Sequence, residues 1–336
     1  MPKQDVTELD IFYISYDEPN CEEHWADLLN KVPWAKRVHG VKGFDAAHKE
    51  CANQSETERF ITVDGDNIVM PDFFEQALDF PETDHDGNDI AQSIFSWNGK
   101  NLLNGLVYGN GGLKCWPTEY TKTINTHEAA TDGEGMEFCW KLNYIQLNDT
   151  FSEVHQTASP FQAFRAGFRE GVKMSLDQGK RVPPRQFVDK IWYGNYNRLQ
   201  TWCNIGSDVE NGLWAIYGAR LGCKMAVLSE WDVNLISDFD WFKSFFYDEV
   251  AVNFIDNPDQ RCKYSKLEWD KDQLYAGVKE IGNELNQDIN SMMLFNPDPK
   301  MCQFFKKTFV NPKRWGVMIR EKQIQDLLEK GLIGSG

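Results

Sequence analysis

The alternation of short apolar runs with amphipathic runs in the first 64 residues is the feature that most constrains the fold. Residues 9–16, 37–39 and 60–63 are strand-like, whereas residues 21–31 and 43–57 place apolar side chains at helical spacing. Strands that alternate with helices in this way predict a right-handed α/β sheet wound on both faces. In such a sheet, ligands bind at the carboxyl ends of the strands.

The run VDGDN stands at one of these predicted strand ends. Two carboxylates one residue apart, Asp64 and Asp66, are able to approach the same hard cation, and Gly65 leaves room for it. A bound Mg²⁺ or Mn²⁺ would neutralise charge on a phosphorylated ligand. An ordinary Asp-Gly turn between strands is the alternative interpretation. The preceding strand and the early α/β pattern favour the metal site.

The rest of the chain changes texture near residue 160. Three more strands are predicted before it, at 90–97, 105–108 and 151–154, and a glycine-rich loop, YGNGGLKCWP, lies between the second and third of these. After it the pattern is helical, at 160–176, 186–204, 208–222 and 266–286. The Gly179 to Pro184 stretch suggests a boundary, so we expect one domain at 1–179 and a mainly helical one at 180–336.

Charge and cysteine usage narrow the class of function. A formal charge of −16 disfavours non-specific nucleic-acid binding as the main activity, and a site built around a divalent cation tolerates it. The eight cysteines are dispersed without a C-x-x-C pair, which predicts free thiols. No signal-peptide pattern or long apolar run occurs. We therefore expect a cytoplasmic protein without a membrane partner.

Several blocks in order carry a resemblance to a known family. The run from IFYISYDEPN through DAAHKECANQSETERFITVDGDN resembles the nucleotide-binding half of GT-A fold glycosyltransferases, more narrowly a phage-encoded, DNA base-modifying branch. The blocks YGNGGLKCWP, SPFQAFRAGFREGVKMSL and WCNIGSDVENGLWAIYGARLG resemble that branch too. The resemblance covers roughly residues 9–225. It implies a GT-A type doubly wound mixed sheet at 1–179, a helical acceptor-binding region at 180–336, and the cytoplasm of an infected host as the setting.

The activity that this resemblance implies is transfer of a hexosyl or pentosyl group from a nucleoside-diphosphate sugar, with UDP the expected nucleotide. Asp64 and Asp66 would be the Mn²⁺ or Mg²⁺ ligands, and His155, at a predicted strand end, would complete the metal shell. An ordinary partly buried histidine is the alternative for His155. The other donor-binding residues that the resemblance implies are Tyr16, Asp17, Glu18, Lys42, His48, Gly111 and Gly112.

A basic stripe follows on the predicted helix at 160–176. Arg165, Arg169 and Lys173 recur every four residues and share a helix face, beside a stripe of phenylalanines expected in the core. A solvated helix face is one interpretation of the cations. The other is a clamp on the donor diphosphate or on acceptor phosphates, with Arg165 and Arg169 as donor-binding residues. We favour this interpretation because no acidic residue interrupts that face.

An inverting transfer needs a general base, and TDGEGMEFCW supplies carboxylates after the glycine loop. Among Asp132, Glu134 and Glu137, we expect Asp132 or Glu137 to act. Asp208 is a further candidate, although it is better interpreted as the N-cap of the next helix.

The acceptor is less constrained than the donor. Lysines and arginines alternate with aromatics in residues 300–322, as in nucleic-acid-binding segments or in a docking helix with extended lysines. With the phage resemblance, this favours DNA that carries a hydroxylated pyrimidine of the 5-hydroxymethylcytosine type, or the sugar already attached to one. The alternatives are a GT-A transferase acting on a glycan, a lipid-linked sugar or a protein, and a catalytically silent nucleotide- or nucleic-acid-binding module.

Overall fold

A computed structural model of the chain describes residues 3–80, 83, 87, 90–109, 112–126, 142–254, 269–289 and 292–309. Asp132, Glu134, Glu137 and Gly111 lie outside the described residues. The described chain divides into two compact units, one formed by residues up to 126 and 142–155, the other by residues from 156 to 308. The division follows His155, so the helix that begins at Pro160 belongs to the second unit, whereas the sequence placed the boundary after residue 179.

The strands all belong to the first unit. They are β1 (Gln4–Asp5), β2 (Asp10–Ser15), β3 (Lys36–His39), β4 (Arg59–Asp64), β5 (Asn67–Val69), β6 (Ala77–Leu78), β7 (Ile94–Asn101), β8 (Val107–Tyr108), β9 (Lys114–Pro117) and β10 (Tyr144–Val154). The helices of this unit are α1 (Cys21–Lys31), α2 (Phe44–Gln54) and α3 (Thr118–Thr121), with 3₁₀ turns at Val6–Glu8 and Pro71–Glu75.

Eight strands form one mixed sheet in the order β3-β2-β4-β9-β7-β10-β5, with β8 paired to β7. The pairs β3–β2, β2–β4 and β7–β10 are parallel, whereas β9 and β5 run antiparallel to their neighbours. The architecture is thus mixed α/β. A short antiparallel pair, β1 with β6, stands apart from this sheet.

The early β-α-β-α-β prediction is confirmed, and the glycine-rich block is the main correction. Its second half, Lys114–Pro117, forms β9 and pairs with both β4 and β7, where the sequence predicted only a loop. A four-residue strand flanked by glycines and proline carries little local signal, since its partners lie far away along the chain.

Alternating side chains divide the sheet into two apolar faces. On one face, Tyr13 and Val63 pack with Cys21 and Leu28 of α1. On the other face, Phe12, Phe60 and Trp116 pack with Cys51 and Ala52 of α2. Burial of both faces fits the apolar runs of β2 and β4, which are typical of parallel strands.

The second unit is helical in its described residues. Its helices are α4 (Pro160–Met174), α5 (Phe187–Lys190), α6 (Tyr193–Asn204), α7 (Gly212–Leu228), α8 (Phe239–Ser244), α9 (Lys271–Asp288) and α10 (Pro299–Phe309). A π-helix spans Phe245–Val250, and 3₁₀ turns span Pro184–Gln186, Val233–Ser237 and Ala251–Asn253. The single helix predicted at 186–204 is two helices that meet at Ile191 and Trp192. None of the helices in the described ranges is both long and apolar enough to cross a bilayer.

Helices α4 and α7 cross with their backbones in contact. A Cβ at Gly167 would lie 1.9 Å from the Ala215 carbonyl oxygen, and one at Gly171 would lie 2.2 Å from that of Ala219. The glycines of α7 face α4 reciprocally, since a Cβ at Gly218 would lie 2.3 Å from the Phe164 carbonyl oxygen. Higher-numbered residues meet higher-numbered residues, so the two helices run in the same direction.

The cysteines within the described residues, six of the eight, are buried free thiols: Cys21, Cys51, Cys115, Cys203, Cys223 and Cys302. This matches the prediction of unpaired thiols for those six.

Candidate functional site

The ends of three strands bring the two predicted metal ligands and His155 to one edge of the sheet. In the parallel register of β2 and β4, Ile14 pairs with Asp64, so β4 ends beside the loop that follows β2. The end of β10 reaches the same turn, because the His155 amide donates a 2.7 Å hydrogen bond to the Asp66 carbonyl oxygen. Only Gly65 and Asp66 separate β4 from β5.

The turn itself is held by buried side chains around Gly65. The Tyr13 hydroxyl lies 2.7 Å from the Gly65 carbonyl oxygen, and Nδ1 of His24 lies 3.1 Å from the same atom. A Cβ at position 65 would lie 2.7 Å from Oε2 of Glu18. A side chain at position 65 would therefore displace the Glu18 carboxylate, which lies beside the two aspartates.

Asp64 is the most perturbed carboxylate of the described residues. Burial raises its pKa to about 7; the charge of Lys114 opposes that shift, while Asp66 and Glu18 add to it. Lys114 is itself buried and pairs with Thr62, two residues before Asp64. Three carboxyl groups and one cation thus share this edge, where an added divalent cation would relieve the carboxylate repulsion.

Gly112 packs directly on Asp64. A Cβ at Gly112 would lie 2.2 Å from both Cβ and Cγ of Asp64, and the Gly112 amide donates a 3.3 Å hydrogen bond to Oδ1 of Asn67. The amide of Asn67 in turn donates to Oδ1 of Asp66 at 2.7 Å. Gly112 therefore contacts Asp64 directly and reaches Asp66 only through Asn67.

His155 lies against a second histidine. The rings of His24 and His155 are 5.1 Å apart in an edge-to-face arrangement, and Nε2 of His155 lies 3.7 Å from Oε2 of Glu153. Burial lowers the pKa of His24, and the neighbouring His155 lowers it further. Asn20 fastens the pair, since its side-chain amide donates to the His155 carbonyl oxygen at 3.0 Å.

Within the described ranges, no group of three or more His, Cys, Asp and Glu side chains is arranged to hold a metal on its own. Mg²⁺ is often held by only one or two carboxylates together with phosphate oxygens of a ligand. The metal site of Asp64 and Asp66 stays a prediction.

Other predicted donor residues occupy different surroundings. The Tyr16 amide donates to Oε2 of Glu18 at 2.7 Å, and Asp17 is exposed beside them, so this loop does reach the carboxylate edge. Lys42 is exposed. His48 is buried, with its ring 4.1 Å from that of Phe44 and 4.4 Å from that of Trp116. These are the contacts of a core side chain, and they lend no support to a donor contact by His48.

The basic stripe of α4 has partners within the helical unit. The Arg165 guanidinium lies 5.1 Å from the centre of the Phe239 ring, and Arg169 donates to the Ile236 carbonyl oxygen at 2.5 Å. Lys173 pairs with Glu170 at 2.6 Å. These contacts stabilise the packing around α4, and the diphosphate clamp stays a prediction.

Asp208 does not cap α7. Asn211 occupies the N-cap position, and Asp208 instead pairs with Lys306 of α10 at 2.8 Å. The prediction of an N-cap at Asp208 is therefore wrong. Part of the basic segment at 300–322 is accounted for in the same way, by docking of α10, while residues 310–322 lie outside the described residues.

Sequence reasoning missed Lys114, His24 and Asn67. Lys114 lies in the strand that the sequence interpreted as a loop, and His24 lies within a helix where only the apolar spacing was weighed. Asn67 follows the aspartates directly and was the residue most open to discovery, since an amide after D-x-D is able to hold a carboxylate in place.

No protein-family model matches the sequence, and a search of curated proteins finds no match.

Proposed function

We propose that this protein is a metal-dependent glycosyltransferase of the GT-A type that uses a nucleoside-diphosphate sugar, UDP-linked by expectation. The observation that carries the proposal is the meeting of Asp64, Asp66 and Glu18 with the buried Lys114 at the carboxyl edge of the sheet. Crevices at this edge are where open α/β sheets bind ligands. The sequence resemblance of residues 9–67 to GT-A enzymes supports the same conclusion.

The roles of the chain's own side chains follow from their positions. Asp64 and Asp66 would hold Mn²⁺ or Mg²⁺, which when bound supplies Lewis-acid stabilisation of the departing nucleoside diphosphate. Asn67 orients Asp66, and Gly112 keeps the space beside Asp64 narrow. The loop of Tyr16, Asp17 and Glu18 borders the same edge and would line the nucleotide pocket.

For the acceptor, we propose DNA that carries a hydroxylated pyrimidine of the 5-hydroxymethylcytosine type, or a sugar already attached to such a base. The support is the resemblance to phage base-modifying enzymes. A hydroxyl on a base has to be presented in the major groove or flipped out of the stack before it is able to attack the sugar.

A second candidate is a GT-A transferase that acts on a glycan or another non-nucleic-acid acceptor. The formal charge of −16 favours it, since a strongly acidic protein is repelled by polyanions at long range.

The test combines donor turnover with product analysis. The protein is incubated with Mn²⁺, a panel of nucleoside-diphosphate sugars and hydroxymethylated DNA, and the DNA is then digested to nucleosides for mass spectrometry. We expect a hexose or pentose added to the modified base, and loss of turnover in Asp64→Asn and Asp66→Asn. Asp72→Asn, an exposed aspartate in a 3₁₀ turn, is the matched control and should keep full activity.

Two results would contradict the proposal. Turnover that survives in both aspartate variants would show that Asp64 and Asp66 do not hold the catalytic metal. Absence of turnover with every donor and acceptor would favour a catalytically silent binding module. Transfer to free glycans without transfer to DNA would select the second candidate.

A further inference from the structure

Positive charge is concentrated in one stretch of the helical unit. Residues 180–198 contain five basic residues and one acidic residue, in a chain whose overall formal charge is −16. The basic residues are Lys180, Arg181, Arg185, Lys190 and Arg198, and the acidic residue is Asp189. Such segregation of charge within an acidic protein indicates a local surface for an anion.

Two large aromatic side chains stand on this surface where α5 gives way to α6. Trp192 is 54% exposed and the adjacent Tyr193 is 56% exposed. Both rings thus leave more than half of their surface in water, where apolar surface is unfavourable in free energy. Adjacent rings in solvent are the usual form of a stacking platform for unpaired bases.

The Trp192 ring is held in place from below. A Cβ at Gly194 would lie 2.4 Å from the ring, so only glycine lets the indole rest against the first turn of α6. The Arg198 guanidinium, one turn further on, lies 5.4 Å from the centre of the ring. A ring that is already positioned loses little entropy when a ligand stacks on it.

Two cations are exposed in the segment that leads to the rings. Arg185 and Lys190 are exposed, on the 3₁₀ turn and the short helix that lead to Trp192. Arg181 is used internally, since its guanidinium donates to the carbonyl oxygens of Met225, Ala226, Ser229 and Trp231. Arg185 and Lys190 are therefore the exposed cations nearest to the rings in sequence.

We propose that Trp192 and Tyr193, with Arg185 and Lys190, bind a single-stranded segment of nucleic acid. Bases stack on the rings and phosphates lie near the two cations. The inference rests on the proposed function only where it takes this strand to be the DNA acceptor. A neutral glycan would use the rings equally well, but it would leave the exposed Arg185 and Lys190 without an anionic partner in the ligand.

The experiment measures fluorescence anisotropy of a labelled fifteen-nucleotide thymidine strand with the full-length protein, between 50 and 200 mM NaCl. We expect wild type to bind this strand more tightly than its duplex with the complementary strand. Trp192→Ala should weaken binding about tenfold at every salt concentration, since stacking on one aromatic contributes about 1–3 kcal/mol. Arg185→Ala and Lys190→Ala should each reduce the slope of log K against log salt by about 0.7.

The matched control is Trp34→Ala, since Trp34 is also 54% exposed but belongs to the first unit. It should leave binding unchanged, and Trp192→Phe should recover most of the loss. The inference is overturned if wild type does not bind the strand, if Trp192→Ala binds like wild type, or if the arginine and lysine variants keep the salt slope of wild type. Sugar transfer is measured separately, so a strand-binding protein without transferase activity would refute the proposed function and leave this inference standing.

Discussion

Replacement of Gly167 by alanine tests the close crossing of α4 and α7. The new Cβ would lie 1.9 Å from the Ala215 carbonyl oxygen, far inside the 3.0 Å that real contacts respect. That oxygen belongs to a helix backbone and has no rotamer to adopt, so the helices have to move apart by more than about 1 Å and lose packing along the interface.

The expected cost has two opposing parts. Overpacking in a rigid interior costs about 1–3 kcal/mol, and more where backbone is the obstacle, while alanine gains about 1 kcal/mol over glycine in helix propensity. Since the obstacle is a backbone oxygen at only 1.9 Å, we expect a net loss of about 3 kcal/mol in the free energy of unfolding. Urea denaturation followed by tryptophan fluorescence measures it as a lower midpoint with an unchanged slope.

Gly277→Ala is the matched control. Gly277 also lies in a helix, α9, but its Cβ would meet only the Phe254 ring at 3.1 Å and the Tyr217 ring at 3.3 Å, which are able to shift by a few tenths of an ångström. This variant should lie within about 1 kcal/mol of wild type. Equal stability of the Gly167 and Gly277 variants would show that the two backbones are not in contact.

Three further predictions concern single side chains. Gly112→Ala should displace the Asp64 carboxylate, because its Cγ would lie 2.2 Å from the new Cβ. We expect kcat/KM to fall at least a hundredfold while the far-UV circular dichroism spectrum stays that of wild type. Unchanged turnover would contradict the contact. Burial raises the pKa of Asp64 to about 7. In metal-free buffer, the folded state therefore keeps a proton that the unfolded state has already lost. The contribution of Asp64 to the free energy of unfolding falls as the pH rises from about 4 to about 7 and is constant above that. Asp64→Asn should match wild type near pH 4 and, after allowance for partial exposure, exceed it by about 2 kcal/mol above pH 7, and a constant difference in parallel thermal melts would refute this. Arg220→Met should lower the free energy of unfolding by about 3 kcal/mol in urea denaturation. The buried guanidinium donates to the carbonyl oxygens of Cys203, Val278 and Phe295, and methionine would leave these oxygens unpaired. A loss below about 1 kcal/mol would contradict this reasoning.

Local sequence pattern was sufficient for the first half of the sheet. The strands and helices from Asp10 to Asp64 are visible in the periodicity of the sequence, and α1 ends at Lys31, the last residue of the predicted helix. The two aspartates follow from this pattern because a strand end has a fixed place in a parallel sheet. Their position is therefore the part of the site that the residues alone predict best.

The missed features depend on partners distant in sequence. Strand β9 forms by pairing with β4 on one side and β7 on the other, and nothing within Lys114–Pro117 indicates these partners. His48 has the spacing of a surface helix residue, yet Phe44 and Trp116 enclose it. The reason for glycine at positions 167 and 218 is likewise visible only from the contact between α4 and α7.

The two-residue link between β4 and β5 joins distant positions of the sheet. Strand β4 is third in the order from one edge, while β5 is the last strand at the other edge and pairs only with β10 within the described residues. An ion held by Asp64 and Asp66 would thus connect an interior strand of the sheet, β4, to its last strand, β5. Fraying of β5 would move Asp66 and weaken binding of the ion. Variants that reduce the protection of the Asn67 to Val69 amides from hydrogen exchange should therefore also reduce the affinity for the donor.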